Sequence, residues 1–483
     1  MEKEVQQREK ITRLLDDYQK REIADPYRLK FHLTPRIGLL NDPNGLIQFN
    51  NRYHVFFQWN PFATDHTYKC WGHYSTKDFI TWQEHPPALL PDEWYDKNGC
   101  YSGSAVEHNG KLYLFYTGNV KNEAGDRETY QCMAVSEDGI HFEKKGPIIY
   151  LPDGYTAHFR DPKVWKEEDY WYMVLGAQTK DEMGVAVLYR SANFNDWEFL
   201  GEIAGSNKNE LGMFGYMWEC PDLFHLDDKE VLIVSPQGLA ADGYQYQNLF
   251  QSGYFIGNWN QSNHQFYHGE FTELDRGFDF YAPQTFEDKH GRRILYAWMG
   301  MADGTEPYHQ SVKSGWIHSL TIPRQLKMKN NHLYQQPLEE LKKLRTSEKT
   351  HLLHLSQEEQ QLSLTSPCQE IFMDIELEGS LSIVISPECQ IVYDGSSIIV
   401  DRISFSSENR ETRQVPLNKL RNLHLFLDHS SLELFINDGE EVFTLRFYPT
   451  EIVNKLIFST DNEIKLKAQC WELDELKWML NNE

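Results

Sequence analysis

Asn41–Gly45 reads NDPNG, and a short polar step later Tyr53–Gln58 reads YHVFFQ. The same pairing of a small polar motif with an aromatic-rich strand returns four more times, about every 60 residues. YSGS (Tyr101–Ser104) precedes LYLFYT (Leu112–Thr117), and RDPK (Arg160–Lys163) precedes YWYMVL (Tyr170–Leu175). ECPD (Glu219–Asp222) precedes VLIVS (Val231–Ser235), and YAPQ (Tyr281–Gln284) precedes ILYAW (Ile294–Trp298). A fixed period means one supersecondary unit copied and packed on its neighbours, so equivalent positions of the copies share one place in space. In three copies that place holds a carboxylate: Asp42, Asp161 and Glu219.

Each unit continues past its aromatic strand into a strand, a polar turn and another aromatic, as in HYSTKDFITW (His73–Trp82), AVSEDGIHF (Ala134–Phe142) and LYRSANFNDW (Leu188–Trp197). That leaves room for about four antiparallel strands per unit, and five such units make a propeller. The expected fold is all-β: a five-bladed β-propeller over 26–335, followed by a C-terminal β-sandwich over 351–483. Period-two alternation in IFMDIEL (Ile371–Leu377), LHLFLD (Leu423–Asp428) and LELFIND (Leu432–Asp438), with NDGE as hairpin chemistry, supports the sandwich. Residues 336–350, containing the charged stretch LEELKKLR (Leu338–Arg345), read as a helical linker. Residues 1–25 read as a lead-in, with Ile11, Leu14, Leu15 and Tyr18 at the spacing of a short amphipathic helix.

The chain has 483 residues, enough for two or three domains, and a formal net charge of −25. So acidic a surface repels phosphate backbones and anionic lipid, which argues against nucleic-acid and membrane partners. Seven scattered cysteines without a CxxC pair point to a reducing compartment. The charged N-terminus lacks an apolar core of the kind a signal peptide needs, so the expected location is cytoplasmic. A homodimer is compatible with the sequence without being demanded by it.

If the motifs line the innermost strand of each blade, Asp42, Asp161 and Glu219 meet at one mouth of the central funnel. Carboxylates held that close cannot all ionise at their free values, so one keeps its proton at neutral pH. Glycoside hydrolysis uses such a set: one carboxylate attacks the anomeric carbon while a protonated partner donates to the leaving oxygen, the two roughly 5 Å apart when configuration is retained. Each motif also has a plain structural reading. NDPNG is a good turn sequence, RDP an ordinary ion-pair neighbourhood, and ECPD a buried turn. It is the conjunction of three acids at matching repeat positions that turn chemistry does not explain. Three carboxylates also suit Ca²⁺, but no Asp-rich loop of the usual spacing accompanies them, and no metal or cofactor is expected. Trp59, Trp71, Tyr101, Trp218 and Trp298 are candidates for stacking on a sugar, although most propeller aromatics pack the core.

Taken in order, NDPNG (41–45), FFQWNP (56–61), CWGH (70–73), YSGSA (101–105), FRDPKV (159–164) and MWECPDLF (217–224) resemble the blocks of glycoside hydrolase family 32, and LDHSSLELFINDGE (Leu427–Glu440) resembles its sandwich signature. The resemblance covers nearly the whole chain. It implies a retaining hydrolase of fructosyl bonds, with Asp42 as nucleophile, Glu219 as general acid and then base, and Asp161 as the stabiliser of an oxocarbenium-like transition state. It also implies sugar contacts from Asn41, Gln58, Tyr101, Ser102, Arg160 and Trp298. Cys220, beside the acid, is either a tuner of its pKa or a buried structural thiol.

The chain departs from typical invertases of that family in FATDHTYKCWGH, where His66 replaces a tryptophan. His66 and Lys69 then offer cationic or donor groups to the leaving-group side, which suits a phosphate on glucose; the alternative for Lys69 is a solvated loop residue. The expected substrate is sucrose 6-phosphate, with sucrose also cleaved. Fructan hydrolysis or fructosyl transfer is the second expectation, and a non-catalytic sugar-binding propeller the third.

Overall fold

The computed structural model describes residues 2–21, 24–376 and 379–479. Leu377 of the IFMDIEL run and the last four residues of the expected sandwich lie outside the described residues. Five successive antiparallel sheets come first, each starting from one of the motif-bearing strands. Those strands are Gly38–Phe49, Cys100–His108, Tyr155–Glu167, Met217–Leu226 and Tyr281–Glu287. Each contacts the next, and the fifth contacts the first, so they close a ring around an axis. The aromatic runs form the second strands, Arg52–Asn60, Lys111–Lys121, Tyr170–Thr179, Lys229–Gln237 and Arg293–Met299. Buried on both faces, they read as near-continuous apolar runs rather than as alternation.

The ring is sealed by chain crossings. Trp316–Ile317 pairs in parallel with Gly38–Leu39 of the first inner strand, while Ser319–Leu320 pairs with Trp298–Met299 of the fifth sheet. At the other end of the first sheet, Lys477–Met479 pairs in parallel with the outer strand Thr81–Leu89, so the C-terminal end of the described chain clips onto the first blade. The helix Glu2–Gln19 lies against the same blade, burying Ile11 among Phe31, Leu33 and Tyr74.

The sandwich has two six-stranded sheets enclosing a core of Ile371, Leu425, Leu434, Ile391, Val400, Phe458 and their neighbours. Its first strand is Arg345–Leu355, so regular sandwich structure begins inside the stretch expected to be a linker. What precedes it is a single short 3₁₀ turn, Glu339–Leu344, anchored by buried Leu341 and Leu344. The NDGE turn has the left-handed backbone such hairpins require: Asn437, Asp438 and Gly439 have φ of 52°, 67° and 87°.

The two parts share a buried ionic seam. Arg324, 0% exposed, donates to Glu433 from Nε (3.1 Å) and Nη2 (2.5 Å), and to Asp275 from Nη1 (3.0 Å). Buried His32 bridges Asp428 (2.9 Å) and Glu433 (3.0 Å), tying the segment before the first blade to the sandwich.

Candidate active site

All five inner strands are irregular at the same place. Pairing with the second strand jumps between Leu40 and Pro43, Tyr101 and Gly103, Glu219 and Asp222, and Tyr281 and Gln284, and in the third sheet between the partners of Lys163 and Arg160. The residues left out of the ladder are the motif centres: Asn41–Asp42, Ser102, Asp161–Pro162, Cys220–Pro221 and Ala282–Pro283. In the last three strands the break contains a proline, Pro162, Pro221 or Pro283, which cannot donate to a ladder. The residues before it in the last three strands have positive φ, 64° at Asp161 and 48° at both Cys220 and Ala282. These motifs therefore form bulges within the strands rather than turns at their heads. A bulge re-aims a side chain, and here it does so five times around one axis. Pro43, Ser102, Asp161, Cys220 and Ala282, one from each inner strand, line one small cavity.

Asp42 is held from two sides. Ser102 Oγ donates to Oδ2 (2.6 Å) and Asn41 Nδ2 donates to Oδ1 (2.9 Å). Asn41 is in turn held by Lys69 Nζ, which donates to its Oδ1 and to His66 Nδ1 (2.8 Å). An ammonium only donates, so Nδ1 of His66 accepts, and the ring proton lies on Nε2, which donates to Glu306 Oε1 (3.3 Å). The chain Glu306–His66–Lys69–Asn41–Asp42 thus runs from a 3₁₀ turn, Glu306–Tyr308, that follows the second strand of the fifth sheet to the innermost strand of the first. Lys69 is 7% exposed, and burial pulls its pKa down to about 8 against the attraction of Asp42. It is not a solvated loop residue, and its ammonium is directed at the Asp42 side of the site. Burial and the adjacent Lys69 lower the pKa of His66, so the ring is neutral and offers no cation to a leaving group.

Glu219 sits in a tighter harness. Arg160 donates to Oε1 from Nε (2.9 Å) and Nη2 (2.5 Å), while the Tyr281 hydroxyl (2.5 Å) and Gln237 Nε2 (2.8 Å) donate to Oε2. Burial raises its pKa, but Arg160 and the Tyr281 hydrogen bond outweigh burial and hold it below the usual range. Asp161 goes the other way. Burial, then Glu219 and Asp42, push it up to about 7, so Asp161 is the member of the set that takes up a proton near neutral pH. Cys220 donates to Asp161 Oδ2 from its backbone nitrogen (3.0 Å) and from its thiol (3.6 Å). It therefore bears on Asp161 rather than on Glu219, and burial keeps the thiol protonated.

The remaining candidates divide by depth. Tyr101 is half-buried beside Ser102. Trp298, 3% exposed, packs edge-on to His66 at 5.8 Å and Tyr281 at 6.2 Å. Gln58, 2% exposed, donates to the carbonyl of Cys100 (2.9 Å) and so supports the strand that carries Tyr101 and Ser102. Trp59, Trp71 and Trp218 are buried and donate to backbone carbonyls, which makes them packing residues. Tyr281, Gln237, His158 and Glu306 were not singled out by sequence. Only Tyr281 carried a signal, as the first residue of the fifth motif. Among the described residues the side chains gathered at metal-ligand spacing are Cys368, Asp428 and His429 of the sandwich, a group that includes none of the three site carboxylates.

Comparison with known proteins agrees with this architecture. The model of the glycosyl hydrolases family 32 N-terminal domain matches residues 32–337, and that of the family 32 C-terminal domain matches 340–472. A sucrose-6-phosphate hydrolase of Bacillus subtilis is 50% identical over 93% of this chain and 95% of its own. One of Salmonella typhimurium is 45% identical over 89% and 91%. Among solved structures, a Bombyx mori GH32 beta-fructofuranosidase superposes with a TM-score of 0.86 at 33% identity, covering 98% of this chain and 99% of that one. The sucrose-6-phosphate hydrolase of Lactobacillus gasseri also gives 0.86, at 32% identity over 96% and 97%. With both family domains matched end to end over a propeller whose five bulges converge on one axis, the chain belongs to glycosyl hydrolase family 32.

Proposed function

We propose that this protein hydrolyses the fructosyl bond of sucrose 6-phosphate, and of sucrose, with retention of configuration. The observation that carries the proposal is the harnessing of Asp42, Asp161 and Glu219 around one axial pit, each by different donors. Its relatives in Bacillus and Salmonella carry the sucrose-6-phosphate hydrolase name, and a variant of the Bombyx mori enzyme has been solved in complex with sucrose. Catalysis belongs to the propeller over 26–335, with the sandwich over 351–483 as a buttress, and the enzyme works inside the cell on sugar phosphorylated during uptake.

Asp42 attacks C2 of the fructosyl unit. Asn41 and Ser102 fix its carboxylate, so little reorganisation is needed at attack. Glu219 gives a proton to the leaving oxygen and later takes one from the attacking water. With Glu219 held below the usual range and Asp161 raised to about 7, acid catalysis requires the proton to pass from Asp161 to Glu219 once substrate is bound. Fructosyl hydroxyls hydrogen-bonding to Asp161 favour its carboxylate form, and exclusion of water disfavours a charged Glu219. The pair must carry one proton between them for turnover.

A pH dependence follows. A group raised to about 7 is protonated below that pH and loses its proton above it. The kcat/KM of the free enzyme should therefore fall as pH rises through about 7, by about tenfold per unit once well past it. A profile that stays flat up to about pH 9 would contradict the shared proton. Lys69→Gln should lower kcat for sucrose and for sucrose 6-phosphate by a similar factor, about 10- to 100-fold, because Asn41 loses its anchor beside Asp42. A loss confined to the phosphorylated substrate would instead make Lys69 a phosphate ligand. The overall proposal is tested by following glucose, glucose 6-phosphate and fructose released from sucrose, sucrose 6-phosphate and inulin side by side. Release from inulin alone would overturn it.

A further inference from the structure

Since the chain Glu306–His66–Lys69–Asn41 spends its donors on the Asp42 side, a phosphorylated leaving group needs other partners. A general acid stands next to the departing oxygen, so the leaving group lies on the outer side of Glu219. Outward from Glu219, Arg160 Nη1 reaches His158 at Nδ1 (2.8 Å). A guanidinium only donates, so Nδ1 accepts and the ring proton of His158 lies on Nε2. Burial, Arg160 and then Arg127 lower His158 to about 4, which keeps the ring neutral and Nε2–H a donor at working pH. Among the described residues no side chain or carbonyl accepts from that Nε2.

Arg127 opens the strand Arg127–Ser136 and is half-buried, its guanidinium 5.8 Å from the centre of the Tyr101 ring. Tyr101 adjoins Ser102, which holds Asp42, while His158 adjoins the harness of Glu219. Arg127 is therefore placed by Tyr101 at the second inner strand, close enough to His158 of the third for its charge to lower that residue's pKa. Among the described residues it forms no ion pair, in a chain that carries 72 acidic residues. Its acidic neighbours are engaged elsewhere: Asp126 with Asn122, and Glu128 with the Tyr130 hydroxyl. An unpaired guanidinium within electrostatic reach of a neutral imidazole N–H is a suitable receptor for a phosphate dianion, because the planar fork can take two oxygens and the imidazole a third. In a molecule of net charge −25 a dianion also needs a local cation to approach at all.

We propose that Arg127 and His158 form the subsite that receives the phosphate of the leaving hexose, and that Arg127 sets the preference for a phosphorylated over an unphosphorylated disaccharide. This rests on the hydrolase reading above and specifies which face of the site reads the anion.

The test is the ratio of kcat/KM for sucrose 6-phosphate to that for sucrose, measured in the wild type, Arg127→Gln, Arg127→Lys and His158→Gln. Arg127→Gln should lower the ratio by about 10- to 100-fold, the loss of a charge-assisted pair. Arg127→Lys should restore part of it, and His158→Gln should lower it by a smaller factor. In parallel, the inhibition constant of glucose 6-phosphate should rise in Arg127→Gln by a similar factor, while that of glucose should not. Activity on sucrose in the same preparations shows that the variants are folded. A wild type that cleaves sucrose 6-phosphate preferentially, with a ratio unmoved by Arg127→Gln, would overturn the subsite and leave the hydrolase reading standing. A wild type without preference would also overturn it. A wild type that cleaves neither substrate would overturn both.

Discussion

Asp42→Asn should lower turnover on sucrose 6-phosphate and on sucrose by about 10⁴-fold or more while leaving the far-ultraviolet spectrum and unfolding temperature close to wild type. The amide keeps the shape of the carboxylate and can still contact Ser102 and Asn41, but it cannot form the ester-like bond to C2. Glu219→Gln should cost a comparable factor for a different reason. Its amide has no proton to give to the leaving oxygen and cannot serve as the base for water. The two variants separate on a substrate with a better leaving group: Glu219→Gln regains the first step, because little acid assistance is then needed, and Asp42→Asn does not. Because the three carboxylates act as a set, the double variant should be little worse than either single one. A single variant within about tenfold of wild type would remove that residue from the mechanism.

The second large effect is on stability. Glu433 is 0% exposed and accepts from Arg324 Nε and Nη2, His32 Nε2 and the backbone nitrogen of Ile322. Glu433→Ala leaves the buried Arg324 guanidinium with Asp275 as its one carboxylate partner and strands donors from three segments of the chain. Breaking a buried pair from one side costs about 3–5 kcal/mol, much of it the penalty of the charge left behind. The unfolding midpoint in urea should fall accordingly, with activity at low temperature lost far less than stability. Replacing Glu433, Arg324 and Asp275 together by apolar residues of similar volume should cost less than Glu433→Ala alone, because the stranded guanidinium is a larger penalty than the neutral donors of Ile322, Gly277 and Thr444 that lose their acceptors. An equal or larger cost would show that the seam itself, rather than the stranded charge, holds propeller and sandwich together.

The fold was legible because the propeller repeats its own chemistry. Five small polar motifs before five aromatic strands put Asp42 and Asp161 at one position of the repeat and Glu219 one residue ahead of it, where Cys220 takes the bulge, and near-equivalence in a ring means convergence. What the motifs did not reveal was their local geometry. NDPNG reads as a turn, yet it lies inside Gly38–Phe49, because pairing on both sides of the bulge overrides its turn propensity. Tyr281 was within reach: it occupies in YAPQ the place Glu219 occupies in ECPD, and a phenol there can only meet its neighbours across the axis. Glu306 and Arg127 were not. Glu306 meets His66 across 240 residues of sequence, and nothing in either local stretch encodes that contact. The burial of Lys69 was hidden for a similar reason, since a polar stretch such as ATDHTYK gives no sign that one of its side chains turns inward to Asn41. The location of the proton was likewise beyond sequence, because it depends on Arg160 and Tyr281 reaching Glu219 and not Asp161.

The claim on which the rest stands is that Asp42 carries the fructosyl unit between the two halves of the reaction. Rapid acid quenching of the Glu219→Gln variant during reaction with a fructoside bearing a good leaving group, followed by peptide mass spectrometry, tests it directly. The account predicts one added fructosyl residue on the peptide containing Asp42. An adduct on another carboxylate, or release of product with inverted configuration and no adduct, would contradict it.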